Sequence, residues 1–211
     1  MKKDIVKFGK LLYEKDLTSA TSGNISIKSG SKIYITATGT ALGFLQEKDV
    51  VEIDLNGQEL NSNEKASSEK FLHLKIYKMR PDINAIVHCH SPFATAFAAC
   101  KKELSDPIVA ENILYFGKIP VADYGMPSSQ ELMENTSKLF EHYDTVLMAN
   151  HGIIAGAENI VNAFFKIETA ETYAKTCIYS KIIGEQAPLS EKDIKDLEVL
   201  RKKFTANKKT A

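Results

Sequence analysis

The sequence predicts a single-domain α/β fold over residues 1–211, with a mixed central β-sheet flanked by helices. Three observations carry this expectation. Strand-like and helix-like runs alternate, as in a sheet covered by helices. Several strand-like runs stand close enough together to form hairpins, which favours a mixed sheet over a purely parallel one. A chain of 211 residues, 44% hydrophobic and 26% charged, can fill one core and is short for two.

The first helix is expected over residues 4–16, where Ile5, Phe8, Leu11 and Leu12 share a stripe. A small-residue loop, Thr18 to Asn24, follows. Ile25–Lys28 and Lys32–Thr36 read as strands joined by the Ser29-Gly30-Ser31 turn. After the loop Thr38-Gly39-Thr40, Val50–Leu55 reads as a strand ending at Asn56-Gly57. A helix is expected from Ser67 or Ser68 to Met79, closed by Arg80-Pro81. Residues 85–90 form an apolar strand, and Ser91-Pro92 opens a helix with serine as N-cap and proline in the first turn. Ser128-Ser129 starts a helix through Tyr143, and Thr145–Ala149 is a buried strand. A long helix from Glu158 to Ile183 should bury Ile160, Phe164, Ile167, Ala174 and Ile178, and a last helix begins near Ser190. No repeat, low-complexity stretch or linker divides the chain.

Twenty-seven basic and 27 acidic residues balance to zero, which leaves no general basic field for nucleic acid. The basic run from Arg201 to Lys209 reads as a solvated helix end rather than a binding arm. Cys89, Cys100 and Cys177 are odd in number and lack the spacing of a disulfide framework, so reduced thiols are expected. The N-terminus has no apolar h-region, and no run of about 18 apolar residues could span a bilayer. A soluble cytoplasmic protein with no membrane or nucleic-acid partner is the expectation.

His88 and His90 flank Cys89 inside the apolar strand. Side chains two apart on a strand share a face, so both imidazoles can address one ion while Cys89 points to the core. The strand ends at Ser91-Pro92, which sets these histidines at a sheet edge. His151 follows a second buried strand and precedes Gly152. Three imidazoles with an open fourth position form a catalytic zinc arrangement; ordinary packing is the alternative for a His-x-His pair. His73, four residues after Glu69, reads as a packed helix histidine with ligation as the alternative, and His142 as a charge partner at a helix end.

Three small-residue loops offer donors to an anion: Thr21-Ser22-Gly23-Asn24, Thr38-Gly39-Thr40 and Ala66-Ser67-Ser68-Glu69. The third opens a helix, whose N-terminus favours negative charge. Each loop taken singly is more often a plain turn or cap, and none matches a nucleotide fingerprint. Glu69 complements the helix dipole, and beside a metal it becomes a candidate general base.

Together, Ser22-Gly23-Asn24-Ile25-Ser26, Thr36-Ala37-Thr38-Gly39, Ser67-Ser68-Glu69, His88-Cys89-His90-Ser91-Pro92 and Asn150-His151-Gly152 resemble the class II aldolase/adducin family. The ordered set extends from residue 1 to about residue 185. The resemblance implies a fourfold-symmetric homotetramer with active sites at subunit interfaces. It implies one zinc ion per subunit on His88, His90 and His151. Glu69 would be the catalytic acid/base and an additional ligand when substrate is absent. Gly23, Asn24, Thr38, Gly39, Ser67 and Ser68 would hold the phosphate of a sugar phosphate. The implied reaction is cleavage of a fuculose-1-phosphate-like ketose 1-phosphate to dihydroxyacetone phosphate and an aldehyde. Sugar-phosphate 4-epimerisation, methylthioribulose-1-phosphate dehydration and a non-catalytic adducin-like scaffold are the family alternatives, and a zinc hydrolase is the alternative outside it. Two departures concern the aldehyde half. Glu111, followed by Asn112, stands where the family's aldolases carry a tyrosine that reaches a neighbouring subunit, and no tyrosine follows Tyr179.

Overall fold

Seven strands form one sheet in the computed structural model, which describes residues 1–60 and 63–208. They are β1 (Asn24–Ser29), β2 (Lys32–Thr36), β3 (Val50–Asp54), β4 (Ala85–Cys89), β5 (Val121–Ala122), β6 (Thr145–Met148) and β7 (Gly152–Ala157). Their spatial order is β3-β2-β1-β4-β7-β6-β5. All neighbours are antiparallel except β5 and β6. The helices are α1 (Lys2–Glu14), α2 (Lys70–Met79), α3 (Pro92–Ala99), α4 (Ala110–Tyr115), α5 (Gln130–Leu139), α6 (Ile160–Ile183) and α7 (Glu191–Lys208). The expected mixed α/β domain is the observed one.

The two faces of the sheet bury separate cores. Val87, Cys89, Ile153 and Ala155 pack with Ile5, Phe8 and Leu12 of α1, Ala94 and Phe97 of α3, and Phe164 and Ile167 of α6. Ile86, Ile154, Val146 and Met148 face the other way, against Leu72 and Ile76 of α2 and Leu132 of α5. Alternation along β4 therefore sends Cys89 to the α6 side, and His88 to the α2 side with Ile86. Burial pushes the Cys89 thiol up to about 12, which fits a core residue.

The structure corrects several sequence expectations. β4 is a central strand between β1 and β7, so the edge on which its histidines lie is the C-terminal end of the strand and not a side of the sheet. β7 was not anticipated as a strand. Its Gly-Ile-Ile-Ala-Gly-Ala run is buried throughout, so no polar alternation marks it. α4 and the two-residue β5 were also unanticipated. α2 starts at Lys70, because Ser67–Glu69 form a preceding turn in which the Lys70 N–H donates to the Ser67 carbonyl at 3.0 Å. α5 ends at Leu139, leaving His142 in the turn beyond it, and Ile178 of α6 is only partly buried. Ser129 does cap α5, accepting from the Leu132 N–H at 3.1 Å. No described helix is long and apolar enough to cross a membrane. Lys209, in the basic tail, lies outside the described residues.

Candidate active site

β4 and β6 are both antiparallel to β7, so they run the same way and end at the same pole of the sheet. That topology brings His88 and His90, from β4 and the residue after it, beside His151 in the turn between β6 and β7. The three ring centroids are 4.8 to 5.0 Å apart. One nitrogen from each ring lies within 4.8 Å of the others.

Two glycines make this approach possible. A Cβ on Gly152 would stand 2.5 Å from the Cys89 carbonyl oxygen and 2.8 Å from Cδ2 of His90. A Cβ on Gly23 would stand 2.5 Å from the His88 carbonyl oxygen, and Gly23 also has φ +84°. Bare backbone at Gly23 and Gly152 thus lies against the histidine strand from its two neighbours.

The donor set fits a divalent ion. Nδ1 of His88 donates to the Ile153 carbonyl at 2.9 Å, which leaves its Nε2 as a lone pair facing the cluster. Nε2 of His90 is buried and has no hydrogen-bond partner among the described residues, a vacancy that ligation would satisfy. Burial and mutual repulsion hold the pKa of each ring below the usual histidine range, with Glu69 opposing. For His151 the result is about 4. Neutral imidazoles are the form a metal takes.

Glu69 is only 7% exposed and sits beside the triad. Its Oε2 lies 3.4 Å from Nε2 of His88, and its Oε1 lies 3.6 Å from Nε2 of His151. Asn24, whose register partner on β4 is His88, donates from Nδ2 to Oε2 of Glu69 at 2.9 Å. Burial alone would raise the Glu69 pKa, but His88, His151 and Asn24 together bring it below the ordinary carboxylate value. Glu69 is therefore an anionic acceptor within reach of both the triad and Asn24.

The three small-residue loops also converge. Ala37 and Ala66 form a bridge, the Thr38 N–H donates to the Lys65 carbonyl at 2.9 Å, and the Ser67 N–H donates to the Thr36 carbonyl at 3.0 Å. The Ile25 N–H reaches Oγ1 of Thr36 at 3.3 Å. Ser67 is buried and accepts from the Glu69 N–H at 3.3 Å, while Thr38, Gly39 and Ser68 are exposed. A cavity of about 190 Å³ opens beside Ser68 and Glu69 and runs to Phe71, Leu72, Leu132 and Met133.

His73 stands outside the histidine cluster. It is fully buried, with Nδ1 2.7 Å from Oγ of Ser26, which is itself 2.7 Å from the Tyr77 hydroxyl. The packed reading of His73 agrees with this arrangement. Glu111 is exposed in the first turn of α4, and Asn112 is buried behind it.

Sequence reasoning missed Glu171. This residue of α6 is 8% exposed, and its carboxylate accepts from the Phe93 and Ala94 N–H groups at 2.8 Å each. Ser91 occupies the N-cap position as expected, but its hydroxyl makes no cap bond and is buried without a partner among the described residues. A glutamate 78 residues from Phe93 leaves no local signal in the sequence.

Comparison with known proteins agrees with this geometry. Residues 3–178 match the Class II Aldolase and Adducin N-terminal domain. An L-fuculose phosphate aldolase of Methanocaldococcus jannaschii is 37% identical over 182 residues, 86% of this chain and 98% of that protein. A 5-deoxy-D-ribulose 1-phosphate aldolase of Bacillus thuringiensis is 36% identical over 206 residues, 96% of this chain and 94% of that protein. A 3-oxo-tetronate 4-phosphate decarboxylase of Haemophilus influenzae is 30% identical over 201 residues, 92% of this chain and 94% of that protein. A solved L-fuculose 1-phosphate aldolase superposes with a TM-score of 0.87 at 35% identity, covering 97% of this chain and 95% of that one. By sequence, by fold and by a histidine cluster able to hold a metal, this chain is a member of the class II aldolase and adducin N-terminal domain family.

Proposed function

We propose that the protein is a zinc-dependent lyase that cleaves a ketose 1-phosphate to dihydroxyacetone phosphate and an aldehyde. The observation that carries this reading is the position of Glu69, 3.4 Å and 3.6 Å from two members of the histidine triad and beside the converged small-residue loops. His88, His90 and His151 would hold the ion, with Glu69 as a further ligand when substrate is absent. A bound zinc ion supplies Lewis-acid polarisation of the substrate's carbonyl and hydroxyl oxygens. Gly23, Asn24, Thr38, Gly39, Ser67 and Ser68 bind the phosphate with neutral donors, aided by the start of α2. In cleavage the aldehyde half would release its hydroxyl proton to water, and Glu69, after taking a proton from water, would deliver it to the dihydroxyacetone phosphate carbon left by the broken carbon–carbon bond.

The substrates named for two relatives, fuculose phosphate and 5-deoxyribulose 1-phosphate, suggest a sugar with a terminal methyl group. The unpaired thiols Cys89, Cys100 and Cys177 fit a reducing cytoplasm. The chain assembles as a homotetramer with its sites at subunit interfaces, where Phe71, 54% exposed beside the Glu69 cavity, would be covered by a neighbour. A fully active monomer in sedimentation at assay concentration contradicts that assembly.

The similarity to a phosphorylated 3-oxo acid decarboxylase supports a second reading. Loss of carbon dioxide from a 3-oxo acid also leaves an enolate that a bound cation and phosphate anchor would stabilise. One assay separates the two. Ketose 1-phosphates and a phosphorylated 3-oxo acid are supplied before and after chelation, and dihydroxyacetone phosphate and carbon dioxide are both followed. Chelator-sensitive dihydroxyacetone phosphate release supports the aldolase reading. Carbon dioxide release alone transfers the assignment to decarboxylation, and neither product from the metal-loaded protein contradicts both.

A further inference from the structure

α3 connects two arms of the histidine cluster. Its N-terminus follows His90 directly, through Ser91 and Pro92. Near its C-terminus the Ala98 carbonyl accepts from the N–H of Asn150 at 3.1 Å, and the Ala99 carbonyl accepts from Nδ2 of Asn150 at 3.4 Å. Asn150 precedes His151 and holds φ +56°, a left-handed conformation that asparagine tolerates better than most residues. The placement of α3 therefore sets His90 and His151 relative to each other.

The first turn of a helix leaves backbone N–H groups without helical partners. In α3, Pro92 has no N–H, and Thr95 already donates to the Ser91 carbonyl at 2.8 Å. The groups left over are those of Phe93 and Ala94, and one carboxylate, that of Glu171, accepts from both at 2.8 Å. Each oxygen takes one donor. A buried anion at a helix N-terminus is also favoured by the helix dipole. The Ser91 hydroxyl makes no cap bond, so Glu171 supplies the side-chain cap of this helix.

We infer that Glu171 is a positioning residue of the metal centre: by pinning the start of α3 to α6 it fixes His90 against His151. This inference rests on the proposed role of His88, His90 and His151 as metal ligands. The hydrogen bonds of Glu171 go to the backbone of α3. It acts through the backbone of α3, much as partners of metal ligands do when they fix ligand orientation.

The test compares zinc dissociation constants, measured by chelator competition on the full chain, with amide exchange of Phe93 and Ala94 in the metal-free protein. Glu171→Ala removes both acceptors, and Glu171→Gln keeps one. Ile167→Ala, on the same helix and fully buried in the α6 core, supplies a control for general destabilisation. Loss of affinity by about 10–100-fold is expected for Glu171→Ala, with a smaller loss for Glu171→Gln. Ile167→Ala should stay within about threefold of the parent, and only the Glu171 variants should speed exchange at Phe93 and Ala94. Parental affinity in Glu171→Ala, or equal weakening by Ile167→Ala, overturns the inference while leaving the metal site standing. Should Glu171→Ala fail to fold, parental affinity and parental amide exchange in Glu171→Gln overturn it. A parent protein that binds no zinc removes the metal reading itself.

Discussion

Asn24 and Glu69, 45 residues apart in sequence, are joined by a 2.9 Å hydrogen bond from Nδ2 to Oε2. That bond holds the carboxylate at the end of β4, where its two oxygens face His88 and His151. Burial opposes its charge, and His88, His151 and the Asn24 hydrogen bond outweigh that opposition. An anionic carboxylate kept beside a histidine cluster able to hold a metal is suited both to ligation and to proton exchange.

Replacing Glu69 by glutamine keeps the shape of this side chain and removes its proton affinity. Turnover of the preferred sugar phosphate should fall by about 10²–10⁴-fold, while inhibition by a phosphate analogue stays near the parental value. Near-parental turnover in steady-state assays would reduce Glu69 to a charge at the start of a helix.

Gly152→Ala tests the close approach of β7 to the histidine strand. The added Cβ would meet the Cys89 carbonyl oxygen at 2.5 Å and His90 at 2.8 Å, and the carbonyl cannot move without shifting β4. Urea unfolding should show a loss of about 1–3 kcal/mol, accompanied by reduced metal occupancy. Unchanged stability and occupancy would mean that the strand yields at no cost.

His73 should make folding stability depend on pH in a defined direction. Burial, with a smaller contribution from His88, lowers its pKa from 6.5 to about 3 against the pull of Glu69. A base with a depressed folded pKa is fully accommodated above the unfolded value. As pH falls below about 6.5 the unfolded chain takes a proton that the folded state refuses, and stability is lost progressively until about pH 3. Between pH 6 and pH 5 the metal-free parent should lose up to about tenfold more in its folding constant than His73→Gln. Equal slopes in urea titrations of the two proteins would show that His73 protonates in the folded state.

Ser67 and Thr38 test the phosphate anchor. Each alanine variant should weaken phosphoglycolohydroxamate by about ten- to a hundredfold, the loss of one hydrogen bond to a charged group. A non-phosphorylated hydroxamate should lose little, and metal should be retained. Equal weakening of both inhibitors in competition assays would assign these loops to the metal site and remove the phosphorylated substrate.

Much of the site was legible because its chemistry is local. His88 and His90 are two residues apart on a strand, which puts both on one face, and His151 stands at the end of another buried strand. The mixed sheet followed from closely spaced strands. What escaped lay either in uniform burial or in long separations. β7 is apolar and buried on both faces, so nothing periodic announced it. β7 pairs with β4 beside the histidines, with Ile154 the register partner of His88. Ser91 was correctly placed at the start of α3, yet the N–H groups of its first turn are held by Glu171 from another helix. The bond between Asn24 and Glu69 likewise exists only once β1 has paired with β4.

The most direct test of the account is the metal content of the purified full chain, read by elemental mass spectrometry together with X-ray absorption. About one divalent ion per chain is expected, with imidazole nitrogens at about 2.0–2.1 Å if the ion is zinc. The ion should be lost in folded His88→Ala and His151→Ala variants, and lyase activity should be lost with it. A parent that cleaves its sugar phosphate at full rate without metal, or variants that keep a stoichiometric ion, would contradict the central claim that these three histidines hold the catalytic metal.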